Sequence, residues 1–374
     1  MNAELGVPGV VIALRTLISQ SEKQMISFRD YMQVCLYHEA DGYYRSERPK
    51  IGKEGDFYTS SSIGTVMGEM VASFIYKQEN AAGAESQVIH LVEWGGGTGR
   101  LALHVLDELK AIAPALYEKL MYTMIESSSY HRGVQRHNLA PHLGIVRFMD
   151  DAKWFAESPC ENVYVLANEL LDAFPVHRVQ YKEGKFYESF VHWHEQSQAF
   201  QERWLLLDSA PLLDYIERLK VQWIDGQIAE LNLDAEVWIG AIAKQMHSGS
   251  CIMIDYGDRS EELYAAHRHR GTLMCYRNHQ AHDNPFVYAG GQDITSHVNF
   301  SMCMSAVLQS GFTSYTLETQ REFLVEQGIL DKLRDHYDPN PFSDVSKRNR
   351  AIRQLLLSDQ MSELFKVFIA TKKR

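Results

Sequence analysis

Gly95, Gly97 and Gly99 alternate within LVEWGGGTGRLALHVL, the run from Leu91 to Leu106, after apolar residues and an acid and before an amphipathic stretch. The pattern reads as a strand feeding a helix through a tight turn. Small residues there let backbone amides and a helix N-terminus come close to a polar ligand. The spacing fits G-x-G-x-G and, through Gly97, Gly99 and Ala102, also the dinucleotide pattern G-x-G-x-x-A. The turn alone therefore leaves a pyrophosphate and the amino-acid end of a sulfonium cofactor both open. Glu93, two residues before the first glycine, separates them, because a carboxylate repels pyrophosphate and favours a cationic ligand.

Further acids follow at the ends of later apolar runs. Glu126 is placed to accept two hydrogen bonds from a ribose diol, and Asp150 or Asp151 to accept one from an adenine amino group. The competing reading is that these acids cap the helices that follow. VLANELLDAFPVHRV then brings Asn168, Glu169 and Asp172 together within one turn, with Pro175 preventing a long helix. Their oxygens suit a nucleophilic nitrogen held in line with an electrophilic methyl group, where alignment and desolvation supply the rate. Paired carboxylates suit a guanidinium, whose planar fork they bind bidentately. Alternatively, Asn168 and Asp172 fasten the loop and Glu169 is solvated. In GGQDITSHVNF, Asp293, Thr295 and His297 precede a helix with apolar face Val298, Met302 and Val307. Thr295 or Ser296 is expected to cap that helix. A second reading gives His297 a proton to handle.

These residues need a scaffold. VIHLVEW, YTMIE, GIVRFMD, VYVLANE and CIMIDYG are strand candidates separated by helical stretches, which implies a parallel α/β sheet with ligands beyond the strands' carboxyl ends. Before them, Pro8 opens one helix and Ser27, with Asp30 three residues on, caps a second whose apolar face is Phe28, Tyr31, Met32, Cys35 and Leu36. A long loop through GDFYTS leads to a helix from about Gly64 to Asn80. After the fourth strand a hairpin turns at Glu183-Gly184, and one helix is expected to carry Leu212, Leu213, Ile216, Leu219, Trp223, Ile228 and Leu231. A second irregular stretch runs from Leu263 to Phe300. His267, His269, His279 and His282 within it lack the spacing that converges metal ligands, so no metal is expected.

The 374 residues are 45% hydrophobic and 23% charged, the composition of an ordinary globular protein, with a net charge of −11 that argues against nucleic acid as the main partner. Five scattered cysteines without a C-x-x-C pair suit a reducing cytoplasm. Neither a secretory leader nor an apolar run of membrane-spanning length is evident, so a membrane is not expected as a partner.

The glycine strand, NELLDAFPVHRV, IDYG, GGQDITSHVNF and TQREFLVEQGI, with the earlier ISFRDYMQVCLYHEADGYY and GDFYTSSSIGTVMGEM, resemble in order the MidA-like family of class I S-adenosylmethionine-dependent methyltransferases. That resemblance implies a Rossmann-like seven-stranded sheet closed by the antiparallel pair FTSYTLETQ and FKVFIATKK, and bacterial, cytoplasmic members. It also implies a relative that methylates protein arginine during assembly of respiratory complex I. Glu93, Gly95, Gly97 and Gly99 would line the cofactor's amino-acid end, Glu126 its ribose and Asp150 or Asp151 its adenine. Asp56 and Thr59 would contact it from a covering loop, and Asn168 would touch both cofactor and acceptor. The expected organisation is a helical segment and covering loop over 1–80, then a methyltransferase core over 81–374 with insertions at about 178–236 and 256–300. The expected activity is N-methylation of a protein arginine, with Asn168, Glu169, Asp172 and His297 as the catalytic set and S-adenosylmethionine as cofactor. A homodimer, a small-molecule acceptor, a nicotinamide dehydrogenase and an assembly chaperone with little catalysis stay open at this point.

Overall fold

The computed structural model describes residues 4–50, 55–56, 64–83, 88–334, 340–358 and 362–373. The chain divides into two compact units. One, the sheet unit, is Tyr58–Leu170, Gly240–Tyr256 and Val307–Arg374; the other, the insertion unit, is Met1–Phe57, Leu171–Ile239 and Gly257–Ala306.

In the sheet unit the strands are β1 (Ile89–Trp94), β2 (Leu120–Ile125), β3 (Val146–Met149), β4 (Val163–Asn168), β5 (Gly249–Asp258), β6 (Ser314–Thr319) and β7 (Phe365–Lys372). They lie in the order β6-β7-β5-β4-β1-β2-β3. The first five are parallel, and β7 runs antiparallel to both β5 and β6. Near-continuous apolar runs such as Val163–Ala167 arise because a parallel sheet is covered on both faces. The strand order reverses between β1 and β4, where Trp94 sits beside Ala167. In open α/β sheets that reversal opens the crevice in which ligands bind.

Helices Val66–Ala82 and Arg100–Ile112 cover this sheet through Met70, Val71, Leu101, Val105 and Leu109, all buried. The buried Glu69 ties the first of them down: Arg348 donates to Oε1 and Oε2 at 2.8 and 2.6 Å, the Thr65 hydroxyl to Oε1 at 2.6 Å, and Lys332 lies 3.3 Å from Oε2. Burial alone would raise this carboxyl, but the Arg348 fork, Thr65 and Lys332 outweigh it and hold it at about 2. A depressed carboxyl contributes stability that is present above its unfolded value of about 4.5 and lost as pH falls through about 2. Removing the acid leaves Arg348 uncompensated, so Glu69→Ala is expected to cost about 3 kcal/mol at pH 7 in urea unfolding, and to flatten the loss of stability between pH 5 and 2.

The insertion unit begins with helix Pro8–Gln20, with proline in its first turn, and helix Phe28–Tyr37, whose Ser27 cap accepts from the Asp30 amide. Both pack on a sheet built around the hairpin His177–Lys182 and Lys185–His194, through Leu14, Tyr31, Met32, Val176, Val191 and Phe200. The hairpin turns at Glu183 and Gly184, with φ of 51° and 75°, the left-handed pair that a two-residue connection requires. Ala199–Leu206 extends it on one side and Ile228–Leu231 on the other.

That last strand corrects the single long helix expected over 212–231. The helix is Ala210–Leu219, terminated by Lys220 in the left-handed region (φ 54°), and after a turn at Gly226 the chain becomes extended. Apolar spacing cannot distinguish a continuing helix from a following strand when the break is carried by a lysine. The stretch read as irregular after Leu263 also holds order, a three-stranded sheet of Met274–Arg277 between Gln280–His282 and Asp293–Thr295. The helix after it is Phe300–Gln309, and its cap is Asn299, whose Oδ1 accepts from the Met302 amide, rather than Thr295 or Ser296. Among the described residues no helix is long and apolar enough to cross a membrane.

Candidate functional site

The glycine turn is left-handed at three positions, with φ of 64° at Gly95, 50° at Gly97 and 76° at Gly99. It is fastened from outside. Gln135 Nε2 donates to the Gly97 carbonyl and Asn138 Nδ2 to the Thr98 carbonyl, each at 2.9 Å, while the Gly95 amide donates to Ile125 O. A side chain at Gly96 would meet Met124 Cε at 2.5 Å and Glu93 Cδ at 2.9 Å. Gly99 ends the turn as the residue before helix Arg100–Ile112, so amide donors at that helix start converge on the turn.

Glu93 is buried beneath this turn, 2% exposed, and accepts from the Tyr122 hydroxyl at 2.8 Å. Burial raises it to about 7, the Tyr122 hydrogen bond works against that rise, and Glu126 adds to it. A half-ionised buried carboxyl beside amide donors is the combination an ammonium and carboxylate pair would satisfy. Glu126, directly after β2, is also buried, and its Oε1 accepts from the Ser128 amide at 2.8 Å. Asp150 caps helix Asp151–Phe155: Oδ1 accepts from the Lys153 amide at 2.8 Å and Oδ2 lies 3.0 Å from Lys153 Nζ. That capping bond lowers its pKa. Asp151 accepts from the Ala152 amide.

At the end of β4, the Asn168 Oδ1 is buried with no hydrogen-bond partner among the described residues, and its Nδ2 lies 3.3 Å from Glu169 Oε1. Glu169 itself is left-handed, with φ of 51°, an unusual backbone for a glutamate. Two bonds from β5 hold it there, Glu169 N to Ile254 O at 2.8 Å and Leu170 N to Asp255 Oδ2 at 3.1 Å. Asp255 was not singled out from the sequence. Its signal in the sequence was an acid ending the apolar run Cys251–Ile254, and in the fold it is 1% exposed.

Within the insertion unit, Asp172 lies on the turn Leu171–Ala173, whose three carbonyls accept from Asn232 Nδ2, the Ser296 amide and the Tyr37 hydroxyl. The backbone thus fastens this loop, a task the sequence left open for the Asp172 side chain. Asp172 is buried, as is Asp293, whose pKa is raised by its burial first and by Asp172 second, and to whose Oδ1 the Tyr44 hydroxyl donates at 2.7 Å. Asp56 is buried too, and its carboxylate accepts from the Tyr43 hydroxyl and the Asn278 amide and pairs with Arg48 at 3.1 Å. Thr59 lies outside the described residues. His297 has Arg268 and Asp258 as its charged neighbours; burial first, then Arg268, lowers it to about 4, so its ring is neutral near pH 7 and a weak base.

The geometry meets its relatives here. A family model described as S-adenosyl-L-methionine-dependent methyltransferase matches residues 70–317. The chain is 28% identical over 299 residues to the mitochondrial protein arginine methyltransferase NDUFAF7 homolog of Drosophila melanogaster, covering 74% of this chain and 65% of that one. It is 25% identical to NDUFAF7 of Rattus norvegicus, over 92% of this chain and 80% of the relative. A crystal structure of a COG1565 superfamily member from Burkholderia thailandensis, bound to S-adenosylhomocysteine, superposes with a TM-score of 0.86 at 29% identity, covering 97% of this chain and 92% of that one. With its sheet order, its left-handed glycine turn and a family signature spanning two-thirds of its length, this chain belongs to the MidA-like family of S-adenosyl-L-methionine-dependent methyltransferases.

Proposed function

We propose that the protein transfers a methyl group from S-adenosylmethionine to an arginine nitrogen of a protein. The observation that carries the cofactor half is the buried Glu93 under a three-glycine left-handed turn at the strand-order reversal. Bound there, S-adenosylmethionine would supply an electrophilic methyl on a sulfonium. The turn's amides would meet its carboxylate, Glu93 would face its ammonium, Glu126 its ribose and Asp151 its adenine, since Asp150 is engaged as a cap. Asn168 Oδ1 offers an acceptor to a group entering at the end of β4. Glu169 and Asp172 would orient the guanidinium and keep a lone pair localised on the attacking nitrogen. The names of the NDUFAF7 relatives support a protein arginine as acceptor. All five cysteines are free, which fits the reducing compartment we assign to it.

The test is calorimetric titration with S-adenosylhomocysteine, with a nicotinamide dinucleotide as control, followed by transfer of labelled methyl from S-adenosylmethionine into a protein extract and hydrolysis of the labelled protein. Micromolar binding of the nucleoside and label recovered as methylarginine support the reading; label on a small molecule overturns the acceptor, and no nucleoside binding overturns the whole.

The pH dependence of that titration follows from Glu93. Its carboxyl is neutral below about 7 and ionised above, and a ligand ammonium placed against it favours the ionised form. Affinity for S-adenosylhomocysteine is therefore expected to rise about tenfold from pH 6 to pH 8 and then level off. In Glu93→Gln the affinity is expected to be weak and flat over that range. A wild-type profile as flat as the variant's would remove Glu93 from the binding site.

A further inference from the structure

The ladder between β4 and β5 ends at Asn168 opposite Ile254, and the left-handed φ of 51° at Glu169 then turns the chain out of register. The Glu169 amide still reaches a strand carbonyl, Ile254 O at 2.8 Å. The next amide, that of Leu170, is taken by a side chain instead: Asp255 Oδ2 accepts from it at 3.1 Å. Asp255 Oδ1 accepts from the Tyr256 amide at 2.9 Å, so one carboxylate ties the end of β5 to the turn after β4. Asp255 is 1% exposed and acts through what it holds.

It holds a peptide with a different side chain at each end. The peptide plane is rigid, so fixing the Leu170 N–H fixes the directions in which Glu169 and Leu170 leave it. On the Leu170 side the contact is with the glycine turn. A side chain at Gly95 would meet Leu170 Cδ1 at 3.0 Å, so Leu170 lies against the first left-handed glycine, all within the sheet unit.

We propose that Asp255 is a positioning residue for methyl transfer: by holding the Glu169–Leu170 peptide it sets the Glu169 carboxylate on the acceptor side and, through Leu170, the glycine turn on the cofactor side. This rests on the methyltransferase reading above and adds to it the group that keeps the two halves in register. Register matters because an in-line transfer misplaced by about 1 Å can lose about 100-fold in rate.

The test is a pair of double-mutant cycles on the full chain, at a temperature where circular dichroism shows every variant folded. In the first, calorimetry with S-adenosylhomocysteine is expected to show Asp255→Ala weakening binding about fivefold in the wild-type background and less than about twofold in Leu170→Ala, which lacks the contact with the turn. In the second, transfer of labelled methyl from saturating S-adenosylmethionine into a protein extract is expected to fall about 30-fold in Asp255→Ala, and by less than about twofold when Glu169→Gln is already present. Asp255→Asn keeps one acceptor oxygen, so its losses should be smaller than those of Asp255→Ala, and it replaces that variant in both cycles if alanine does not fold. Additive losses in both cycles are the signature of a carboxylate that only stabilises the fold, and they overturn the proposal. A folded Asp255→Ala protein that binds and transfers as wild type does overturns it as well. Failure of wild type to bind S-adenosylhomocysteine would instead overturn the methyltransferase reading, and the positioning role with it.

Discussion

Gly97→Val is expected to weaken S-adenosylhomocysteine binding at least about 100-fold, roughly 2.7 kcal/mol, in a protein that still folds. Gly97 has φ of 50°, where a β-branched side chain is a genuine outlier, and the strain is on the order of 1–2 kcal/mol. The chain can relieve it only by turning the peptide, and the Gly97 carbonyl is held at 2.9 Å by Gln135. Relief therefore moves the amides on which a ligand would depend. The melting temperature should fall by only about 2–4 °C, because the strain is small beside the stability entropy of a chain this long. Gly96→Ala separates strain from crowding. Its added methyl would press on Met124 Cε, which can move, and on Glu93 Cδ, which Tyr122 holds. The expected loss is smaller, about tenfold, and it should track the pH behaviour of Glu93. Calorimetry on both variants beside a thermal scan checks this; a Gly97→Val protein that binds as wild type does would mean that the turn serves only to connect strand and helix.

The parallel strands were legible because they are short apolar runs, most of them ended by an acid, and the closing antiparallel pair followed from the resemblance. The glycine turn was legible because left-handed backbone leaves few residue choices. What escaped reading shares another physics. Ile228 and Leu231 lie nine and twelve positions past Leu219, about 180° and 120° around a helix, so their place on the expected apolar face was already lost, and the chain leaves the helix at a lysine that carries no turn signal. The strands of the small sheet are three or four residues long, too short for alternation to show. Asp293 and Asp172 are 121 positions apart, and only the folded chain brings their charges within reach of each other. For Asp150 the competing reading of a strand-end acid as a helix cap was the correct account of its contacts, while Glu93 accepts from a tyrosine and Glu126 from the amide two residues on. His297 was assigned a proton for its ordinary pKa, which burial and Arg268 take away.

Glu169 poses the opposite case, a residue whose backbone argues for its side chain. Its left-handed φ of 51° would suit glycine, so a glutamate there is retained at a cost of about 1 kcal/mol or more. Glu169→Gln, Glu169→Ala and Glu169→Gly are each expected to lower methyl transfer about 100-fold or more through loss of a charged contact to the acceptor, with S-adenosylhomocysteine affinity within about twofold of wild type. Stability should sort them differently. Glycine is expected to exceed alanine by about 1 kcal/mol, because neither has the carboxylate and only alanine keeps the strain. The bonds from Ile254 O and Asp255 to this segment go to backbone amides and survive all three changes. If the Glu169 side chain merely fastened the loop, the order would reverse in kind: activity would follow stability, and the glycine variant, freest in its backbone, would lose most of both. Methyl transfer measured beside urea unfolding on the same three proteins therefore decides between a carboxylate that works on the substrate and one that only holds the chain.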